Sequence, residues 1–259
     1  MNKIILIAVM LGTLTACAST TKQQQQAEPP VSAPIDRTKI SEGYLQKGIA
    51  YFQAEKYELA LSEMHKSVKE NTKNKDAYQA LGVTYFKLGK LDEAEKYYRE
   101  AIDIDDTYSD AYNGLGVVYS LQQKWKDAQK NFLKALDNKM YPGRAMVYSN
   151  MGDMFMNQKE PVKAAESYRE SKRYEKIDFI IIKLGDALLE SGKPKDAIKE
   201  YQEAASMSLG NPLFRYKLAI AFLKDGNKTA AVAEFNKVIE LAPASENAKQ
   251  ARDYLRTLR

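Results

Sequence analysis

The sequence predicts an all-α fold: a solenoid of six helix-turn-helix units closed by a C-terminal capping helix. Three observations carry that expectation. The stretch from Lys75 to Pro142 repeats itself, with Tyr78-Gln79-Ala80-Leu81-Gly82-Val83-Thr84-Tyr85 matching Tyr112-Asn113-Gly114-Leu115-Gly116-Val117-Val118-Tyr119 at an interval of 34 residues. Ala94, Tyr98 and Ala101 pair with Ala128, Phe132 and Ala135 at the same interval. A small residue then marks every unit: Gly48, Gly82, Gly116, Gly152, Gly185 and Ala219 follow at spacings of 34, 34, 36, 33 and 34. Finally, large residues flank each mark four before and three after, as in Tyr78/Gly82/Tyr85 and Ile181/Gly185/Leu188. That spacing lines one face of a helix.

The chain opens on a targeting signal. Lys3 precedes an apolar run from Ile4 to Leu14, the charged and apolar regions of a signal peptide over residues 1–16. The run is about half of the ~20 residues needed to span a bilayer. It ends in Leu14-Thr15-Ala16-Cys17, which resembles the bacterial lipobox. Cys17 is the only cysteine in the chain. The resemblance implies that Cys17 becomes an acylated first residue, and several acyl chains together anchor durably where one would not. The following residue is Ala18 and not Asp, which by the same resemblance implies an outer-membrane anchor facing the periplasm. Residues 17–39 are then a lipidated N-terminus and tether. Gln23 to Gln26, Pro29, Pro30 and Pro34 leave little apolar surface to bury, so disorder is expected.

Residues 40–244 hold the six units. A glycine inside a helix costs about 1 kcal/mol, so its recurrence needs a reason. Close approach of the second helix is the expected one, with Ala60, Ala94, Ala128, Ala164, Ala197 and Ala231 as the opposing small side chains. Pro161 and Pro194 open the second helices of units four and five, where a missing N–H is harmless. Tyr57, Leu91 and Trp125 hold that place in units one to three, which makes Trp125 a packing residue. Pro243 closes unit six. Ser245 is the expected N-cap of a last helix within residues 245–259, offering Ala248, Ala251, Tyr254, Leu255 and Leu258 to cover the open end of the array.

Chemistry is sparse. The net charge of +5, with 28% charged residues, is spread along the chain, whereas nucleic-acid binding needs a clustered basic stripe. His65 is the only histidine and is expected half-exposed on a second helix. No paired metal-ligand spacing, no Gly-rich phosphate loop and no base for a hydroxyl nucleophile are present. Asp103, Asp105 and Asp106 fall at a repeat junction and read as helix-end solvation, since Ca²⁺ needs more oxygen ligands in a defined loop. The expectation is a non-enzymatic protein without cofactor or metal.

Binding is what remains. One residue along from each packing stripe runs a second stripe expected to face the inner curve: Leu45/Ile49/Phe52, Gln79/Val83/Phe86, Asn113/Val117/Ser120, Ser149/Asp153/Met156, Ile182/Asp186/Leu189 and Tyr216/Ile220/Leu223. Packing positions repeat because the fold requires them, and this stripe does not repeat. Its apolar character is strongest in the first two units. Leu45, Ile49, Phe52, Val83, Phe86 and Val117 are therefore the expected partner-binding groove, in the manner of helix-in-groove recognition.

The period of about 34 with its Leu-Gly, Tyr, Ala, aromatic and Ala marks resembles the tetratricopeptide repeat, which implies a right-handed superhelix. Leu45 and Ile49 stand where chaperone-binding members of that class carry a lysine and an asparagine, which disfavours a co-chaperone role. Lipobox, tether and six units together resemble the type IV pilus pilotins, lipoproteins that help outer-membrane secretins assemble. Tyr141-Pro142 and Asn150-Met151-Gly152 match that family's Tyr-Pro and Asn-x-Gly marks, and the longer spacing of 36 falls at the same junction. Met154 and Phe155 occupy the region where the family's cysteine would follow. The resemblance implies that the groove binds a secretin subunit and the anchor delivers it to the outer membrane. An alternative is a scaffold lipoprotein in outer-membrane protein assembly or cell-wall hydrolase recruitment.

Overall fold

Helical hairpins need apolar seams, and every repeat supplies two. The computed structural model describes residues 36–258, and all of its regular structure is helical. The first helices of the six units are α1 (Arg37–Gln53), α3 (Lys75–Lys87), α5 (Ser109–Leu121), α7 (Arg144–Asn157), α9 (Asp178–Glu190) and α11 (Pro212–Lys224). Their second helices are α2 (Tyr57–Glu70), α4 (Leu91–Ile104), α6 (Trp125–Asp137), α8 (Pro161–Tyr174), α10 (Pro194–Met207) and α12 (Lys228–Leu241). The last helix, α13 (Glu246–Thr257), closes the array. The signal peptide, Cys17 and most of the expected tether lie outside the described residues. Helix α1 starts earlier than expected: Arg37 to Lys39 belong to it, because the Asp36 carboxylate accepts from the Thr38 and Lys39 amides and caps the helix.

Packing follows the chain. Each first helix pairs with its own second helix, and each second helix packs on the next first helix. First helices of successive units also touch, as in α1 with α3, α3 with α5 and α5 with α7, whereas no second helix packs comparably on another second helix. The first helices are therefore closer together and line the inner curve. Helix α13 packs on both α11 and α12, standing where the first helix of a seventh unit would. Ala248 and Ala251 are fully buried there, with Phe235 and Val238 in the same cluster. The Ser245 hydroxyl accepts from the Ala248 amide at 3.1 Å, as an N-cap should.

The glycine marks have a different partner from the expected alanines. Ala60, Ala94, Ala128, Ala164, Ala197 and Ala231 are fully buried, but the atoms facing the glycines belong to a large side chain four residues further on. A Cβ at Gly82 would meet the Tyr98 ring at 2.8 Å, one at Gly116 the Phe132 ring at 2.7 Å, and one at Gly185 the Tyr201 ring at 2.5 Å. The glycine makes room for a ring laid flat against its helix. In unit one the same place is taken by Met64, whose Cγ would lie 2.7 Å from a Cβ on Gly48.

Units are joined by a second recurring device. Tyr108 Oη donates to Asp76 Oδ1 and Tyr141 Oη to Asp110 Oδ1, each at 2.6 Å, and Ser208 Oγ donates to Asp178 Oδ2 at 2.9 Å. In each case a residue entering one unit reaches the first turn of the preceding first helix. Asp105, expected as a solvated helix end, is also a joint: Lys75 Nζ donates to it at 2.5 Å and Thr107 at 2.7 Å. Those donors hold its carboxyl down at about 2.

Candidate functional site

The apolar stripe of the first two units converges on one cleft. Leu45, Ile49 and Phe52 of α1 and Val83 of α3 line it, with Met64, Ala80 and Thr84 as floor and Asp76 and Gln79 at the edge. Its volume is about 260 Å³. Residues four apart on a helix share a face, and this places Leu45, Ile49 and Phe52 in one row opposite Gln79 and Val83. Thr84, which is fully buried, turns its hydroxyl back to the Ala80 carbonyl at 2.8 Å. The floor therefore presents carbon to the cleft. A somewhat larger hollow of about 380 Å³ on α6 is lined by Lys126, Gln129, Lys130, Leu133, Lys134 and Asp137, so Leu133 is its one apolar residue among charged and polar side chains.

The six expected groove residues do not behave alike. Ile49, Phe52 and Val83 line the cleft and remain half-buried, available for contact. Leu45 is only 7% exposed and belongs to the core cluster with Ala60, Leu61, Met64, Ala77, Ala80 and Leu81. Its position between the packing row and the groove row turns it mostly inward, so it forms the cleft's base. Phe86 and Val117 lie outside the cleft; both are half-buried and pack with Val83 against the large central cluster.

Further along the inner curve the stripe becomes a charged ladder that periodicity alone had not indicated. Tyr168 Oη donates to Asp153 Oδ1 at 2.6 Å, and Lys183 Nζ lies 2.7 and 2.6 Å from the two carboxylate oxygens. One unit on, Tyr201 Oη donates to Asp186 at 2.5 Å while Lys217 Nζ lies at 2.8 and 3.0 Å. Burial is the main cause that pushes both phenols well above their ordinary range, with the adjacent carboxylate adding to it. The sequence does hold a signal: Asp153, Tyr168 and Lys183 recur as Asp186, Tyr201 and Lys217 at intervals of 33, 33 and 34. Asn113 Oδ1 accepts from Asn150 Nδ2 at 3.0 Å where apolar and charged segments meet.

His65 sits away from the cleft in an aromatic nest. Its ring contacts Tyr97 edge-on at 5.7 Å, and Nε2 lies 3.2 Å from the Tyr85 hydroxyl, while Tyr85 and Tyr97 stack at 5.2 Å. Desolvation and then the Lys96 charge hold its pKa below the ordinary value. Trp125 is the first residue of α6, half-buried against the central cluster. Among the described residues no group of three or more His, Cys, Asp or Glu is placed to hold a metal ion, and no helix is long and apolar enough to cross a membrane.

Sequence models of the tetratricopeptide repeat match residues 51–98, 77–141 and 182–246. No curated protein matches the chain in sequence. Among solved structures, pilF of Pseudomonas aeruginosa superposes with a TM-score of 0.70 at 21% identity, covering 84% of this chain and 99% of that one. PilW, a type IV pilus biogenesis factor, gives a TM-score of 0.72 at 19% identity, covering 82% and 97%. YrrB, a repeat protein with an unusual peptide-binding site, gives 0.60 at 20% identity, covering 73% and 97%. Identities of this size speak for the fold alone. By that fold and by its repeats, the chain is a tetratricopeptide-repeat protein, a scaffold for binding other proteins.

Proposed function

We propose that this protein is a pilotin: an outer-membrane lipoprotein on the periplasmic face, anchored through Cys17, that binds a secretin subunit and promotes its targeting and assembly for type IV pilus biogenesis. The observation that carries the binding role is the apolar cleft between α1 and α3, lined by Ile49, Phe52 and Val83. Half-buried apolar side chains around an open volume favour a segment that brings its own apolar side chain. The pilus assignment draws support from the near-complete coverage of pilF and PilW, and from the Tyr141-Pro142 mark. Tyr141 is the residue that ties unit four to Asp110. The anchor draws on the lipobox ending at Cys17, and a durable anchor is what an escort to a membrane requires.

Two substitutions test the reading in cells. Ile49→Asp and Phe52→Asp place a charge in the cleft without touching the glycine–ring seams, so far-UV helicity should persist. Secretin rings in the outer membrane should then disappear, while the protein itself still fractionates with that membrane. Cys17→Ser should move the protein off the membrane. Normal ring yield with either cleft variant would remove the cleft from secretin binding. Crosslinking to a barrel-assembly component or a cell-wall hydrolase in place of a secretin would move the protein to the general scaffold class.

A further inference from the structure

We infer that the segment held by the cleft is amphipathic and basic: an apolar side chain seated among Leu45, Ile49, Phe52 and Val83, with a lysine or arginine reaching Asp76 at the lip. This rests on the cleft being the binding site. A cavity of roughly 150 Å³ holds one benzene ring, so about 260 Å³ accepts one aromatic or two short aliphatic side chains. The rest of the segment must lie on the surface, and the one charged residue lining the cleft is acidic. Asp76 is exposed and borders the cleft. Its Oδ1 accepts from Tyr108 at 2.6 Å, but among the described residues no lysine or arginine pairs with it. Its neighbour Lys75 is committed to Asp105 at 2.5 Å.

The same arrangement recurs along three units. Two helical turns before the inner-curve residues Ile49, Val83 and Val117 stand Glu42, Asp76 and Asp110, all exposed and none in an ion pair among the described residues. Positions seven apart share a helix face, so an acidic rim runs beside an apolar floor. In units four and five the polarity is exchanged, and in unit six both rows are apolar, with Ile220 on the floor. Met146, Phe179 and Leu213 take the rim, and the floor carboxylates Asp153 and Asp186 are neutralised by Lys183 and Lys217. Unpaired negative charge on these two rows is thus confined to the half that holds the cleft. At the far end of α3, one turn beyond Val83, Lys87 is exposed. The segment's cation therefore points toward the N-terminal ends of α1 and α3.

The test uses the full chain and three fluorescent peptides of equal length sharing a Leu-x-x-Phe core, flanked by lysines, serines or glutamates. Anisotropy at low salt should rank lysine above serine above glutamate. One exposed ion pair is worth about threefold in affinity, and that margin should shrink as salt rises. Asp76→Asn should abolish the preference for lysine over serine. Tyr108→Phe, which removes the hydrogen bond but keeps the charge, should leave the preference intact. Equal binding of lysine and serine peptides, with both lost in Ile49→Asp, would overturn the basic partner while sparing the cleft. Binding that Ile49→Asp leaves unchanged, or no binding at all, would overturn both.

Discussion

At Gly185 a single missing carbon decides how two helices meet. A Cβ there would lie 2.5 Å from Tyr201 Cε1 and 2.8 Å from Cζ. The ring cannot easily swing away, because it is fully buried and its hydroxyl is held by Asp186 at 2.5 Å. Gly185→Ala is therefore expected to destabilise the fold by about 2 kcal/mol, as overpacking does, seen as a lower urea midpoint with unchanged slope. Unit six supplies a contrast, since Ala219 holds the equivalent place there and shares a buried cluster with Phe235, whereas a Cβ at Gly116 would meet the Phe132 ring at 2.7 Å. In a Tyr201→Phe background the cost of Gly185→Ala should shrink, and a double-mutant cycle measures the difference. His65 offers a pH test at the same scale. Its folded pKa lies below the ordinary value, so the unfolded chain takes a proton that the folded chain resists. Its contribution is complete above about pH 6.5 and is lost as pH falls below that value. Denaturant midpoints taken at about pH 7.5 and about pH 5.5 should differ less for His65→Gln than for the parent chain, since the lowered carboxylates Glu63, Glu95 and Asp105 titrate further down. A parallel pair of curves would remove His65 from the account.

At the scale of elements, each hairpin turns the same way. Two residues before every second helix the backbone enters the left-handed region: Glu55 at φ 58°, Gly89 at 73°, Gln123 at 60°, Lys159 at 59°, Gly192 at 74° and Gly226 at 82°. The following amide closes a longer bond to the first helix, as from Lys90 to the Tyr85 carbonyl at 3.0 Å, the pattern of a Schellman close. Nothing lies within 4 Å of a Cβ built on Gly89. Gly89→Ala should then cost only the backbone penalty, about 1–2 kcal/mol, with no change in peptide binding at the cleft. The sequence reveals part of this turn and hides part. Pro161 and Pro194 disclose where second helices start because proline tolerates so few positions. The left-handed residue stays hidden, since three of the six turns place Glu55, Gln123 and Lys159 there and no glycine pattern survives. The site divides similarly. Ile49, Phe52 and Val83 are legible because they are apolar where the repeat does not need them. Leu45 lines the cleft but is mostly buried, a depth the stripe does not reveal because one step along a helix is about 100°, which leaves a boundary residue free to turn inward. The glycine partner is misread as alanine because a ring four residues on reaches back over the preceding turn.

Across the whole molecule the apolar interior is segmented. The cleft end is built on the Leu45–Leu81 cluster, the middle on a long cluster from Ala94 to Ala221, and the capped end on Ala219, Phe235, Val238, Ala248 and Ala251. In a solenoid each unit leans only on its neighbours, so stability is a sum of unit and interface contributions. Removing residues 245–259 uncovers Phe235 and Val238, which are fully buried beneath α13 in the intact fold. Amide exchange should then speed up in α11 and α12 and stay unchanged in α1 to α8. The cleft lies at the opposite end, bounded by α1 and α3, so the shortened chain should bind the lysine-flanked peptide with unaltered affinity. Faster exchange throughout, or weakened binding in the shortened chain, would mean that the two ends act as one cooperative unit.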